Sequence, residues 1–526
     1  MDPVGYAWLA DRFDAWPVQL LPSRSAIGTA RSTRQDASGT LEVFPPAMRP
    51  ANTLQGHLTF ALKHEGVNLE LLARLFASFD SRELERWIRD EPTGQYARRS
   101  GFLYEWLTGK DLLLMATVGG NYVDALDESR GVVSGLPVKH PRWRVRDNLP
   151  GSRDFCPTVR WTPRTRAAAA YDCAGQLEKM QAEFGDDTLL RSAVWLTLKE
   201  SKSSFAIERE GDETDRIRRF AHVMGARCGQ GDSPLTEKSL EELQRAILGP
   251  NLLSSTGLRS GPVFVGESGP YGEVVHYVGP HWDALEGMLA GLQAFDVSTS
   301  NFASPVIRAA VVSFGFVFIH PLSDGNGRTS RFLVNDTLRR DGAVPAPFIL
   351  PISVKMQETR MHPLNYDQAL ERYSRPFMAR YSDAYHFGET IKPENGPEYN
   401  FHFDAYSKAQ PTWAYPDLTV QTEYLAQVIQ ETIEQEMRQE ASLMRDWRAT
   451  RESIKNVVEG PDEIIDRIMR GVLGNGSISG KLIAQFPRLA DPDIARSIER
   501  VVQDSGLPGS EALRLSDARS SRPPRG

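Results

Sequence analysis

His320-Pro321-Leu322-Ser323-Asp324-Gly325-Asn326-Gly327-Arg328-Thr329-Ser330-Arg331 decides how this chain folds around its chemistry. It follows an apolar run, residues 302–319, in which Val306, Ile307, Val311, Val312, Phe314, Phe316, Val317 and Phe318 leave no polar face. That run predicts a helix buried on all sides. A second helix is predicted to start near Arg328. Between the two, a pair of glycines around Asn326 permits positive φ, so successive N–H groups can converge as an anion nest. The nest sits at a helix N-terminus, where the dipole favours phosphate. Arg328 and Arg331, three apart, share one face and can fork onto phosphate oxygens. Asp324 offers one hard oxygen ligand suited to Mg²⁺ between two phosphates. His320 has the pKa range needed to take a proton from a hydroxyl near neutral pH. Singly, each feature is common in turns and helix ends. Together they read as a nucleotide-phosphate site.

Outward from the loop, the chain is ordinary in bulk. Its 526 residues are 40% hydrophobic and 25% charged, enough for a real core, and the net charge of −7 gives no global attraction to nucleic acid or anionic membrane. Three cysteines without CxxC spacing argue against a disulfide framework and a cysteine metal cluster. No apolar run reaches membrane-spanning length, and acids stand near the start where a signal peptide carries bases, so a cytoplasmic protein without membrane contact is expected.

The fold class expected is mostly α. Residues 1–50 read as a flexible entry segment and 51–180 as a helical N-terminal domain. Residues 181–390 read as the catalytic domain, and 391–457 as a long helical connector with an amphipathic helix from about 418. Residues 458–504 suggest a small helical or winged-helix-like domain, and 505–526 a disordered tail. The segment 261–277 carries a hairpin signal, with β-branched and aromatic arms around a Gly/Pro/Ser turn.

HPLSDGNGRTSR is similar to the signature of the Fic (Fido-fold) family, HxFx[DE]GNGRxxR, with Leu322 where an aromatic residue is usual. The resemblance extends over residues 191–378, including the hairpin arm with Arg259 and Leu350–Leu370. It implies a helical core with a β-hairpin flap and a protein adenylyltransferase, which moves AMP from ATP to a protein hydroxyl. By the resemblance His320 is the base and Asp324 holds Mg²⁺. Gly325, Asn326, Gly327, Arg328, Thr329, Ser330 and Arg331 hold the ATP phosphates, and Tyr366 lies near the base of the nucleotide. Val263, Phe264, Val265 and Gly266 form the flap that docks the target by strand-like pairing. Family members that phosphorylate carry lysine at the position of Gly327, so glycine favours AMP transfer.

Upstream, Ser204 and Glu208 stand four apart and resemble the family's inhibitory motif [ST]xxxE[GN], with Arg209 in place of Gly or Asn. The resemblance implies that Glu208 pairs with Arg331 and excludes the γ-phosphate, with de-AMPylation as a second activity. ATP, a target protein, the chain itself and a second copy are the partners considered. Two alternatives stand beside this reading. One is DNA binding, through arginines and aromatics of residues 139–166 (Trp143, Phe155 and Trp161 among them) or through the C-terminal helices. The other is a toxin–antitoxin-type interaction protein.

Overall fold

The computed structural model describes residues 2–36, 39–114, 117–208, 214–249, 256–269, 272–358, 364–393 and 397–508. The described chain is mostly helical, with small sheets. Its contacts separate two compact units, one built from 1–171, 226–341 and 356–428, the other from 172–225, 342–355 and 429–526.

In the first unit the helices Leu54–His64, Leu69–Ser78, Ser81–Asp90 and Gln95–Thr108 bury Leu58, Leu72, Leu75, Leu84 and Leu103 in one core. Three start on side-chain caps: Thr53, Asn68 and Asp80 accept from the N–H groups of Gly56, Leu71 and Arg82. Trp143 enters this core because position 101 is glycine. A Cβ there would lie 2.3 Å from the indole.

The expectation of a flexible segment over residues 1–50 is corrected. Asp2–Val4, Ser23–Ile27, Gly39–Phe44 and Ser32–Asp36 form a four-stranded sheet in that order, with the middle pair parallel. Val4, Ile27 and Phe44 pack with Phe60 beneath it. These strands are three to six residues long, and their stability comes from pairing with distant segments, which local periodicity does not register. The helical connector is corrected likewise. Tyr385–Ile391 pairs with Tyr399–Phe403, and helix resumes at Tyr406–Ala414 and then from Thr419, through a π turn at Thr432–Met437, to Lys455.

Of the aromatics in the arginine-rich stretch, Trp161 alone is part-exposed, with the Arg166 guanidinium over its ring. Trp143 and Phe155 are fully buried, and Arg142, Arg146 and Arg160 pair with Glu105, Asp124 and Asp417. An acidic protein supplies its own counter-ions, and Trp143 and Phe155 serve the core.

In the second unit Glu200 is buried within the helix Asp186–Ile207, where its carboxylate accepts from the Ser353 N–H at 2.8 Å and the Ser353 hydroxyl at 2.6 Å. The helices Asp462–Asn475, Gly480–Gln485 and Pro492–Asp504 enclose Ile465, Ile468, Met469 and Val502. No strand occurs there among the described residues, so the winged-helix variant lacks its wing. Residues 509–526 of the expected tail lie outside the described residues.

Candidate active site

The helix Pro305–Ile319 is buried on nearly every face, as its apolar run requires, and packs along the helix Asn326–Arg340. His320 ends the first helix in the left-handed region, φ 49° and ψ 56°, with its N–H on the Phe316 carbonyl. A histidine tolerates that conformation at some cost, so the surroundings must hold it. Its Nδ1 lies 3.3 Å from the Val317 carbonyl oxygen. A carbonyl only accepts, so the contact is a hydrogen bond in the tautomer with N–H at Nδ1. That tautomer leaves the lone pair on Nε2, as a general base needs.

Leu322 is fully buried and fills the position where an aromatic residue is usual. The side chain of Asn326 holds both sides of its peptide: Oδ1 accepts from Leu322 N–H at 3.0 Å and Nδ2 donates to Leu322 O at 2.7 Å. Gly325, at φ +85°, starts the next helix without any side-chain cap. The opening N–H groups of such a helix have no intrahelical acceptor and form a ready anion site. Arg328 and Arg331 are buried on the first turns, and Arg328 Nη2 donates to Asp324 Oδ1 at 3.0 Å. Thr329 and Ser330 are buried too, and the Ser330 hydroxyl donates to Gly327 O at 2.7 Å. The Thr329 N–H donates to Gly325 O at 2.9 Å, within the helix.

Three residues that the local reading did not single out for support fix this loop from afar. Arg259 donates from Nε to His320 O at 2.8 Å, from Nη1 to Gly261 O at 2.8 Å and from Nη2 to Pro280 O at 2.6 Å. Its own N–H donates to Pro321 O, so the strand-like residues 258–259 run beside 321–322. Burial lowers the Arg259 pKa to about 10, which leaves it charged at neutral pH. Gln244, 1% exposed, donates to Asp324 O and accepts from Gly257 N–H. The Tyr277 hydroxyl donates to Phe318 O.

The predicted flap is present. Phe264–Gly269 pairs antiparallel with Gly272–Val278, with a bulge after Val265. Gly266 is required by that bulge, since a Cβ there would lie 2.3 Å from Val274 O. Val265 is exposed, whereas Phe264 packs its ring on Phe387 and Phe401 of the second hairpin. Val263 O accepts from Gly279 N–H and closes the base of the flap. Among the described residues no further strand covers its outer edge. Tyr366 opens the helix Tyr366–Tyr381 and packs its ring on Phe314 and Tyr424.

Ser204 is buried in the helix Asp186–Ile207, and Glu208 is its C-cap, so the two follow helical spacing. Arg209 lies outside the described residues. No group of three metal-ligating side chains occurs among the described residues. A single half-exposed carboxylate, Asp324, still fits Mg²⁺, which is commonly held by one or two carboxylates with phosphates and water completing its shell. No described helix is long and apolar enough to cross a membrane.

Residues 234–338 match the family model described as Fic/DOC family. The chain therefore carries a Fic-family domain there. It is 37% identical over 128 residues to the protein adenylyltransferase Fic of Drosophila grimshawi, covering 23% of this chain and 24% of that protein. It is 28% identical over 191 residues to the protein adenylyltransferase Fic of Nematostella vectensis, covering 35% and 41%. The chain thus spans less than half the length of these relatives. A solved Fic family protein from Desulfovibrio desulfuricans G20 covers 69% of this chain and 94% of its own, at 16% identity and a TM-score of 0.32, too low to bear on the fold.

Proposed function

We propose that this chain is a protein adenylyltransferase that moves AMP from ATP to a hydroxyl side chain of a target protein. The observation that carries the reading is the His320 ring, with Nδ1 3.3 Å from the Val317 carbonyl oxygen, at the lip of a helix N-terminus that has no side-chain cap. In the step proposed, the target oxygen bonds to the α-phosphorus while the bond from that phosphorus to its bridging oxygen breaks. Pyrophosphate leaves, and Nε2 takes the hydroxyl proton. The main-chain N–H groups of 325–327 cradle the α-phosphate, and Arg328 and Arg331 take the outer phosphates. Asp324 would hold Mg²⁺, which supplies charge neutralisation on the phosphates. Most of the rate then comes from positioning and electrostatics. The flap edge at Val265 aligns the target segment, and a cytoplasmic location goes with this reading.

Glu208 acts in the same proposal as a brake on productive ATP binding. One charge-assisted hydrogen bond contributes about 1.5–3 kcal/mol, which corresponds to roughly ten- to a hundredfold suppression. The test is incubation with α-labelled ATP, Mg²⁺ and lysate. Glu208→Gly should raise labelling by that factor, and His320→Ala should abolish it with the fold intact. Equal labelling of wild type and His320→Ala would end the adenylyltransferase reading. Equal labelling of wild type and Glu208→Gly would end the brake alone.

A further inference from the structure

We propose that the first unit carries a second anion site, built on Arg98, Lys139 and Arg144, that takes a phosphate monoester. Val123–Asp124, Val145–Asp147 and Val138–His140 form a three-stranded sheet in that order. The site lies where Gly119-Gly120-Asn121-Tyr122 and the turn before Val145 meet Arg98 of the helix Gln95–Thr108.

Arg98 is 2% exposed, yet no carboxylate pairs with it among the described residues. Its Nη1 donates to Arg144 O at 2.9 Å and lies 3.4 Å from Trp143 O, which pins the turn. Its Nε is sealed from solvent and has no partner, so it can reach no ligand. Nη2 differs, since it makes no hydrogen bond in the described protein and is not sealed. Gly120 keeps the approach to it clear: at φ +101°, a Cβ there would lie 3.3 Å from Nη2. A guanidinium held by one end with the other open is a fixed donor for an oxyanion.

Two exposed cations stand beside this opening. Lys139 Nζ and Arg144 Cζ each lie 5.5 Å from the centre of the Tyr122 ring, two positions on from Gly120. Neither forms an ion pair among the described residues. Burial lowers the Arg98 pKa, and the nearby Arg144 charge lowers it further. The neighbouring acids are engaged elsewhere. Glu91 accepts from Gln55 and Trp87, Glu105 accepts from Trp143 and pairs with Arg142, and Asp124 pairs with Arg146. Like charges gathered without a counter-ion are costly, and a bound anion removes that cost. A phosphate monoester carries nearly two charges at neutral pH and three free oxygens, whereas a diester or a carboxylate carries one charge. Three cations match the monoester.

Amide hydrogen exchange of the full chain near neutral pH tests this, with phosphate compared against chloride at equal ionic strength. Inorganic phosphate should slow exchange in residues 119–124 and 143–146 saturably, with half-saturation below about 10 mM. A phosphoserine peptide is the second probe, and its unphosphorylated form should give no protection. Tighter binding of the peptide assigns the monoester to a protein chain, and tighter binding of inorganic phosphate assigns it to a free anion. Arg144→Gln should raise the half-saturating concentration about tenfold, and Lys139→Gln, screened by solvent, about threefold. Arg98→Gln should abolish the effect; because Arg98 also pins the turn, the two exposed variants decide where that one does not fold. No phosphate-dependent protection in these segments overturns the proposal, as does protection confined to residues 320–331. An oligothymidylate that protects as well as phosphate does at equal charge overturns the monoester assignment. Unchanged half-saturation in both Arg144→Gln and Lys139→Gln overturns the site.

Discussion

Arg259→Ala should loosen the catalytic loop and the flap together. The guanidinium is 5% exposed and bridges three main-chain carbonyls, those of His320, Gly261 and Pro280, at 2.6–2.8 Å. Hydrogen bonds from a charged donor contribute about 1.5–3 kcal/mol each, and alanine would also strand three buried acceptors. The contributions are not additive, because water can enter part of the vacated space and the loop can relax. A loss of about 4 kcal/mol in local opening free energy is the expected size. Arg259→Lys keeps the charge but cannot reach three acceptors with one ammonium, so it should recover only part of the loss. Amide hydrogen exchange is the suitable assay, since it reads opening segment by segment. Protection should fall in residues 257–261, 272–278 and 320–322, while the helices of 54–108 keep theirs. Under the proposed function, transfer should slow more than ATP affinity falls, because the displaced group is the base and not the phosphate cradle. Wild-type protection across those segments in Arg259→Ala would refute the reasoning, for the three bonds would then contribute nothing.

Three further outcomes are expected. Asn326→Ala removes both bonds to the Leu322 peptide and should cost about 2 kcal/mol, read as reduced thermal stability with faster exchange at 322–326. Asp466→Ala leaves buried Arg451 without its bidentate partner and Trp447 without its acceptor; a loss of about 3–5 kcal/mol should appear as selective unfolding of the C-terminal helices in limited proteolysis. Glu65 has its pKa raised by burial from an ordinary 4.5 to about 7, so the folded state holds the proton more tightly than the unfolded chain. The stability this proton contributes is full below about 4.5 and is lost as pH rises through about 7. Glu65→Gln should therefore gain up to about 3 kcal/mol on wild type at pH 8 and little at pH 4.5, and an equal gain in Tm at both pH values would contradict the assignment.

The candidate phosphate site was legible because its nest, its base and its arginines all fall within residues 320–331 and are read from neighbours in the chain. The supports were not. Arg259 reaches His320 across 61 positions, Gln244 reaches Asp324 across 80, and Tyr277 reaches Phe318 across 41. In a linear reading these are ordinary polar residues, indistinguishable from a solvated face. The N-terminal sheet was hidden for the same reason, since three- to six-residue strands take their identity from partners elsewhere. The mostly helical character was visible because a helix closes its hydrogen bonds within four residues and so prints its period on the sequence.

Asn326 has separate tasks for its main chain, which belongs to the proposed cradle, and its side chain. Placed between two glycines in a phosphate-binding signature, it reads as part of the cradle. Its Oδ1 and Nδ2 are instead both engaged by the Leu322 peptide. An amide has few hydrogen-bonding positions, and two of them here stitch the loop across four residues, which keeps Leu322 in the core and the His320 backbone in its left-handed turn. Phosphate must then be met by main-chain N–H groups, whose direction is set by Gly325 and the start of the helix. It follows that replacing Asn326 should weaken catalysis through His320 position more than through lost phosphate contact. Asn326→Ala should therefore lower the transfer rate well before it raises the ATP concentration needed for half-saturation. The opposite order, with ATP affinity lost first and the rate preserved at saturation, would place the Asn326 side chain in the cradle as well.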